Sequence, residues 1–259
     1  MYVCFADRSV FQLLLEPGQR AAEVGVYKGE YSQGLLSRAP AELFLIDTWT
    51  APDNTQRLPS DCHLDAETQI NAAISDYYPG GVALALQQAE KEVTERFSAH
   101  SHVKILRMTS KDAVPHFADH SLDFVYIDAN HRFDFVLSDL IRWSQKVKPS
   151  GYLVLNDFYA SHRGALQFLS VMEAASQFIK LYDWAPLAMN TSAFSDLVLV
   201  RKDALLATTH NISAPSRQIF ALLIGNNIPF IEVANNLVHA AMHKKLSVNG
   251  GDFEFLSFA

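Results

Sequence analysis

The chain has 259 residues, 49% hydrophobic and 11% aromatic, enough for one large domain or one domain with an appended piece. Its formal net charge of −7 argues against general affinity for a nucleic-acid backbone, which needs a basic surface, so no nucleic-acid partner is expected. No run reaches the ~18 apolar residues of a membrane span, the start lacks a secretory leader pattern, and Cys4 and Cys62 stand in no metal-ligand spacing. The expectation is a cytoplasmic globular protein with no membrane partner.

Short apolar runs alternate with amphipathic stretches, the pattern of an α/β protein whose parallel sheet is wrapped by helices. Phe11–Leu15 belongs to a short leading helix that stops at Pro17-Gly18. Ala22–Tyr27 reads as the first strand, followed by a glycine turn and a helix over Tyr31–Ser37. Leu43–Trp49 is the second strand. Residues 50–100 are long for one connection: Ala51–Asp65 reads as a loop, and Glu67–Ile74 and Val82–Phe97 as helices of an insertion. Beside a ligand pocket, such an insertion serves as a lid or a substrate-binding element, or is merely a decorated crossover.

Val103–Met108 and Leu122–Asp128 are further strands, separated by a short helix around Lys111–Phe117. Apolar residues at 136, 137, 140, 141 and 143 give Asp134–Lys146 helical spacing. Pro149-Ser150-Gly151 reads as a turn into strand Tyr152–Asn156. Ala165–Gln177 follows as a helix, Phe178–Trp184 as a strand and Leu197–Arg201 as the closing strand. The tail beyond residue 202 carries helical stretches at Ser216–Ile224 and Ile231–Lys245. Its apolar ending, Phe253–Phe258, would add a strand or cover a partner, which allows a homo-oligomer.

Two blocks carry chemistry. In the first, Glu23-x-Gly25-x-x-x-Gly29 sits between a buried strand and a helix, and a second apolar run ends in Asp47. The dinucleotide fingerprint G-x-G-x-x-G brings a pyrophosphate to a helix N-terminus. Here its third glycine is missing and an acid precedes the turn. A carboxylate there repels a pyrophosphate and suits a cofactor carrying positive charge, which favours S-adenosylmethionine over NAD. In the second block, the strands ending in Asp128 and in Asn156-Asp157 put side-chain oxygens at the sheet's carboxyl edge, where open α/β sheets bind ligands. If the strands flank one crevice, Asp128, Asn156 and Asp157 converge as three donors suited to Mg²⁺ or Ca²⁺.

These segments resemble class I S-adenosylmethionine-dependent methyltransferases of the methyltransferase family 24 type. The match runs through Glu23-Val-Gly-Val-Tyr-Lys-Gly29, Leu45-Ile-Asp47-Thr-Trp49, Asp123-Phe-Val-Tyr-Ile-Asp128 through His131, Asp139-Leu-Ile-Arg-Trp143, and Val147-Lys-Pro-Ser-Gly151-Tyr-Leu-Val-Leu-Asn-Asp157. It covers about residues 20–160, and strand pattern extends the domain to 1–202, leaving 203–259 as a C-terminal helical extension. The resemblance implies a Rossmann-like seven-stranded, mostly parallel sheet with helices on both faces. It implies that Glu23, Gly25 and Gly29 shape the pocket for the cofactor's methionine part, flanked by Tyr27, Tyr31 and Ser32. Asp47 would accept both ribose hydroxyls, with Thr48 and Trp49 packing by the adenosine.

Ser110 falls at an adenine contact in the family, unless it only caps the helix beginning at Lys111. Asp128 would lie near the reacting methyl, and Asp128 or His131 would act as the base. Trp143 reads as core. Some related enzymes hold Mg²⁺ on the positions of Asp128, Asn156 and Asp157. Here Asn precedes Asp, where others show two acids or the reverse order. The expected activity is O-methylation of a small-molecule hydroxyl, with Mg²⁺ as an optional second cofactor. A non-catalytic protein keeping the same fold and an NAD-linked oxidoreductase are the alternatives.

Overall fold

The structure is a computed structural model that describes residues 1–50, 78, 80–158, 165–192, 195–205, 213–232, 244–248 and 251–255. Its first strand, β1 (Tyr2–Cys4), leads into a 3-10 helix over Arg8–Leu14, which Asp7 caps by accepting from the Ser9 N–H at 2.8 Å. Then come β2 (Arg20–Val24), α1 (Glu30–Ser37), β3 (Glu42–Asp47), α2 (Val82–Phe97) and β4 (Val103–Arg107). α3 (Ser110–Ala113), β5 (Leu122–Ile127), α4 (Phe133–Trp143), β6 (Val147–Leu155) and α5 (Ala165–Leu181) follow. β7 (Trp184–Asn190), β8 (Leu197–Arg201), α6 (Lys202–Leu205), α7 (Ala214–Gly225) and β9 (Phe230–Glu232) complete the main body. β10 (Lys244–Val248) and β11 (Gly251–Phe255) form a separate antiparallel hairpin.

The main sheet runs β4-β3-β2-β5-β6-β8-β7-β1-β9. Six of its first seven members are strands expected from sequence, and the seventh, β7, lies over Trp184–Asn190 where Phe178–Trp184 was expected. β1 adds parallel to β7 and β9 adds antiparallel to β1, so the sheet has nine strands, not seven. Three-residue strands lack the length to show periodicity, which is why neither was foreseen. Through β9 the segment after residue 202 joins the main sheet.

Helices cover both faces in two cores. One contains Phe11, Leu14, Leu35, Val93, Phe97, Tyr126 and Ile219; the other contains Val136, Leu140, Trp143, Val171 and Phe178. Alternation along β2 sends Ala21 into the first core and Ala22 and Val24 into the second, so Glu23 faces the first.

Several boundaries differ from expectation for identifiable reasons. Phe178–Leu181 continues α5 rather than opening a strand, because Phe178 packs into the second core on the helix's apolar stripe. Pro149-Ser150-Gly151 is not a turn between elements but an irregularity inside β6, where the register with β5 shifts between Leu122 and Phe124. A Cβ on Gly151 would lie 2.7 Å from the Asp123 carbonyl oxygen, so the close strand approach needs glycine. Ile231–Lys245 begins and ends in strand, at β9 and β10, instead of helix. The expected Glu67–Ile74 helix lies outside the described residues.

Candidate active site

The first block forms a turn held from below by one carboxylate. The chain leaves β2 at Gly25, whose φ of +89° and crowding both exclude a side chain: a Cβ there would sit 1.9 Å from the Asp128 carbonyl oxygen. That contact joins the ends of β2 and β5, which are also tied by Asp128 N–H donating to the Val24 carbonyl at 2.8 Å. The Asp47 Oδ2 accepts from the N–H groups of Val26 and Tyr27 at 2.8 and 2.9 Å. Its Oδ1 accepts from Trp49 N–H at 2.7 Å. Three of the carboxylate's roughly four lone-pair sites are thus used, leaving room for one further donor.

Tyr27 and Trp49 carry left-handed backbones, with φ of 49° and 44°, and Trp49 Nε1 donates to the Tyr27 carbonyl at 2.9 Å. Two strained residues therefore brace each other over Asp47. Beside them, Thr48 accepts from Thr50 at its hydroxyl and its carbonyl. Gly29, at φ 70°, sits at the N-cap of α1. Behind the turn Glu23 is buried and accepts from the Ser32 hydroxyl at 2.5 Å. Burial pushes its carboxyl well above the usual range, against the bond from Ser32. Tyr31 stacks on Tyr126 with ring centroids 3.7 Å apart.

The second block gathers at the ends of β5 and β6. His131 Nε2 lies 3.4 Å from Asp128 Oδ1 and 3.4 Å from Asp157 Oδ2. One ligand-type atom from each of the three can be chosen so that all lie within 4.8 Å of one another. Arg8, from the leading helix, approaches Asp128 Oδ2 at 3.7 Å. The Asn156 amide nitrogen donates to Asp196 Oδ1 at 2.8 Å.

Ser110 stands apart from both groups. Its hydroxyl donates to Asp139 at 2.5 Å and accepts from Trp143 Nε1 at 2.9 Å, fastening α3 to α4. Thr109, not Ser110, caps α3, accepting from the Asp112 N–H at 3.1 Å. Trp143 is fully buried, the core residue expected.

A family model described as a methyltransferase domain, of the family 24 type, matches residues 22–158. The chain belongs to the S-adenosylmethionine-dependent methyltransferases. No curated protein matches it. Among solved structures, spermidine synthase from Thermotoga maritima aligns at 11% identity and a TM-score of 0.46, over 81% of this chain and 59% of the synthase. The chain thus spans less than two thirds of that enzyme. A Streptococcus mutans protein described as a candidate methyltransferase, in complex with SAH, aligns at 9% identity and a TM-score of 0.49, over 74% of this chain and 93% of that one. An rRNA methylase from Streptococcus thermophilus aligns at 8% identity and a TM-score of 0.48, over 74% and 93%.

Electrostatics set the methyltransferase's two blocks apart from its surface. Burial drives the Asp157 carboxyl up to about 7, with His131 pulling it down and Asp128 pushing it further up. For His131, burial opposes protonation, but Asp128 and then Asp157 outweigh it and the imidazole pKa is raised. Both groups therefore hold a proton more tightly than their free counterparts. Asp196, fully buried, is pushed well above the usual carboxylate range by burial, although Asn156 donates to it. Asp157 Oδ1 and Asp196 Oδ2 are buried with no hydrogen-bond partner among the described residues.

Arg8 and Asp196 escaped the sequence reading. Asp196 had a faint signal, an acid directly before the apolar run Leu197–Val200. Arg8 had none, because only the packing of the leading helix brings it to the carboxyl edge. Among the described residues no helix is long and apolar enough to cross a membrane.

Proposed function

We propose that this methyltransferase O-methylates a hydroxyl of a small molecule. The observation that carries this is the Asp128–His131–Asp157 cluster, in which the imidazole lies 3.4 Å from each carboxylate and which abuts the glycine turn through the Gly25–Asp128 contact. Bound S-adenosylmethionine supplies an electrophilic methyl group. The residues that would hold it are Glu23, Gly25, Tyr27, Gly29, Tyr31, Ser32, Asp47, Thr48 and Trp49, with Asp128 at the reacting end. Asp47 has one lone-pair site left for a ribose hydroxyl and keeps the turn shaped with the other three.

Buried acids without full complements of donors favour a cationic ligand over a pyrophosphate, which supports the sulfonium cofactor over NAD. His131, held between two carboxylates, is placed to take the hydroxyl proton in its neutral form, and Asp128 and Asp157 stabilise the imidazolium that results. Ser110, engaged by Asp139 and Trp143, positions α3, and an adenine contact there would come from its backbone. The formal charge of −7 favours a small-molecule acceptor over a nucleic acid.

The donor set does not fit Mg²⁺ well. That ion prefers near-octahedral oxygen ligation, whereas the cluster offers an imidazole nitrogen with two carboxylates. No step is assigned to a metal.

The test is calorimetric titration of S-adenosylhomocysteine and NAD, followed by a methyl-transfer screen over phenols, sugars and hydroxy acids. Binding of the sulfur ligand alone is expected. With an acceptor in hand, His131→Asn should slow transfer about 100-fold or more while cofactor affinity stays near wild type. Cofactor binding with no transfer to any acceptor would move the protein to the non-catalytic alternative.

A further inference from the structure

Past the reacting cluster, on the far side from the glycine turn, the sheet buries polar groups that lack partners. Alternation puts Tyr126 of β5, Val154 of β6 and Val198 of β8 in the first core. β6 and β8 run antiparallel, with Val154 opposite Val198 and Leu155 opposite Leu197. The next residues in that register are Asn156 and Asp196, joined by the 2.8 Å bond from the Asn156 amide. Asp196 is completely buried, and its Oδ2 has no hydrogen-bond partner among the described residues. The Tyr126 hydroxyl reaches the other oxygen, Oδ1, at 3.4 Å.

Tyr31 stacks on Tyr126, is 5% exposed, and its hydroxyl is likewise without a partner among the described residues. After burial, Asp196 is the group that most disfavours ionisation of Tyr31, so the two unpartnered oxygens share one neighbourhood. Each costs free energy that a ligand's donor would recover. The order β2-β5-β6-β8 puts Asp196 three strands from the glycine turn, with the Asp128–His131–Asp157 cluster between them. At ~4.8 Å per strand, Asp196 lies about 14 Å from the end of β2 and about 10 Å from β5, on the acceptor's side of the reacting groups.

Charge narrows what the acceptor brings. Arg8 opposes the effect of burial at Glu23, Asp157 and Asp196. Its guanidinium comes no nearer than 3.7 Å to Asp128 and 5.8 Å to the Tyr31 ring centroid, so it offsets charge without filling the empty donor places. An anionic group would be repelled by these acids, and a plain hydroxyl would leave their charge uncompensated. A primary ammonium brings three donors and a unit positive charge.

We infer that Asp196 Oδ2 and the Tyr31 hydroxyl form an acceptor subsite for a primary ammonium group, so that the substrate is a hydroxylated amine. Its cationic end is held at β8 and its hydroxyl lies beside His131, about 5–10 Å away. The hydroxyl oxygen gains the methyl group as the carbon–sulfur bond of the sulfonium breaks, and its proton passes to His131. This rests on the methyl-transfer reading and names the acceptor's second functional group.

Methyl transfer is measured for wild type, Asp196→Asn and Tyr31→Phe with matched acceptors, tyramine against 4-propylphenol and glucosamine against glucose. Binding of the same four compounds is read by calorimetry, with and without S-adenosylhomocysteine. Wild type should prefer the amine of at least one pair by about 10- to 100-fold, and Asp196→Asn should bring that ratio within about threefold of unity. Tyr31→Phe should lower the ratio about three- to tenfold. That variant removes a hydroxyl with no bond to lose, so it carries the test if Asp196→Asn does not fold.

Equal use of amine and neutral partner by wild type would overturn the inference. So would an amine preference that survives in both variants, since the ammonium would then be held elsewhere. A wild type that binds S-adenosylhomocysteine but neither binds nor methylates either amine also overturns it. Failure of wild type to bind S-adenosylhomocysteine strikes the methyl-transfer reading instead. In that case amine binding lost in Asp196→Asn would still sustain the subsite, and its absence would sink it.

Discussion

The two halves of the sheet's carboxyl edge handle their carboxylates in opposite ways. On the β3 side, Asp47 is surrounded by backbone donors and takes three N–H groups, so its charge is spent on shaping a turn. On the β5–β6–β8 side, Asp157 and Asp196 each keep a buried oxygen without a partner among the described residues, and their carboxyl groups are pushed upward. A satisfied polar network rigidifies, and an under-satisfied one is poised to bind or to move a proton. The contrast separates a half whose acid shapes a turn from a half whose buried acids keep oxygens without partners among the described residues.

The strongest way to break this contrast acts where the halves meet. Gly25→Ala puts a Cβ against the Asp128 carbonyl at φ +89°, so β2 and β5 must separate at their ends. The expected cost is about 4 kcal/mol or more, seen as a fall of roughly 10 °C in melting temperature together with loss of S-adenosylhomocysteine binding. A variant melting beside wild type would show that the two blocks are not mechanically joined.

Asp47→Ala tests the satisfied half. Removing one acceptor for three N–H groups should cost about 2–3 kcal/mol, less than three full bonds because water reaches part of the turn. The loss should appear in thermal melts without ligand. If affinity falls and the ligand-free melt does not, Asp47 serves the ribose only and the turn holds itself.

Asp157→Asn probes the strained half and has the smallest effect, with a sign that depends on pH. The native carboxyl is raised from 3.8 to about 7, so the folded state binds its proton more tightly than the unfolded chain. Its contribution to stability is therefore intact near pH 4 and is lost as pH rises toward 7. The raised His131 adds loss in the same direction, since a proton held in the fold is given up as pH climbs. Replacing Asp157 by Asn removes the penalty of a buried carboxylate, so the variant should gain about 1 kcal/mol over wild type at pH 8 and nothing at pH 4. Equal destabilisation at both pH values, read from melts across the range, would show that Asp157 is a fixed ion-pair partner and not a proton-holding group.

Much of this was legible in sequence because strand-turn-helix chemistry is local. Glu23, Gly25 and Gly29 fall within seven residues, and strands ending in Asp47, Asp128 and Asp157 announce themselves by apolar runs closed by an acid. Six of the seven long strands were readable for the same reason, and β7 was read too early, over residues that end α5. Spacing alone does not say which of Asn156 and Asp157 meets the crevice, because the chain turns there and Asp157 takes a left-handed backbone with φ of 54°. His131 was visible as a residue, but its seat between two carboxylates depends on how β5 and β6 lie side by side.

What the sequence determined by itself is the family, the order of the main strands and the identity of the glycine turn, because each depends on residues a few positions apart. Only the tertiary structure decided that β1 and β9 extend the sheet, that Asn156 pairs with Asp196, and that Arg8 stands over Tyr31 beside Asp128. Those contacts join segments as distant as Tyr2 and Glu232, and their free energy comes from burial and charge in a packed environment that no local pattern encodes.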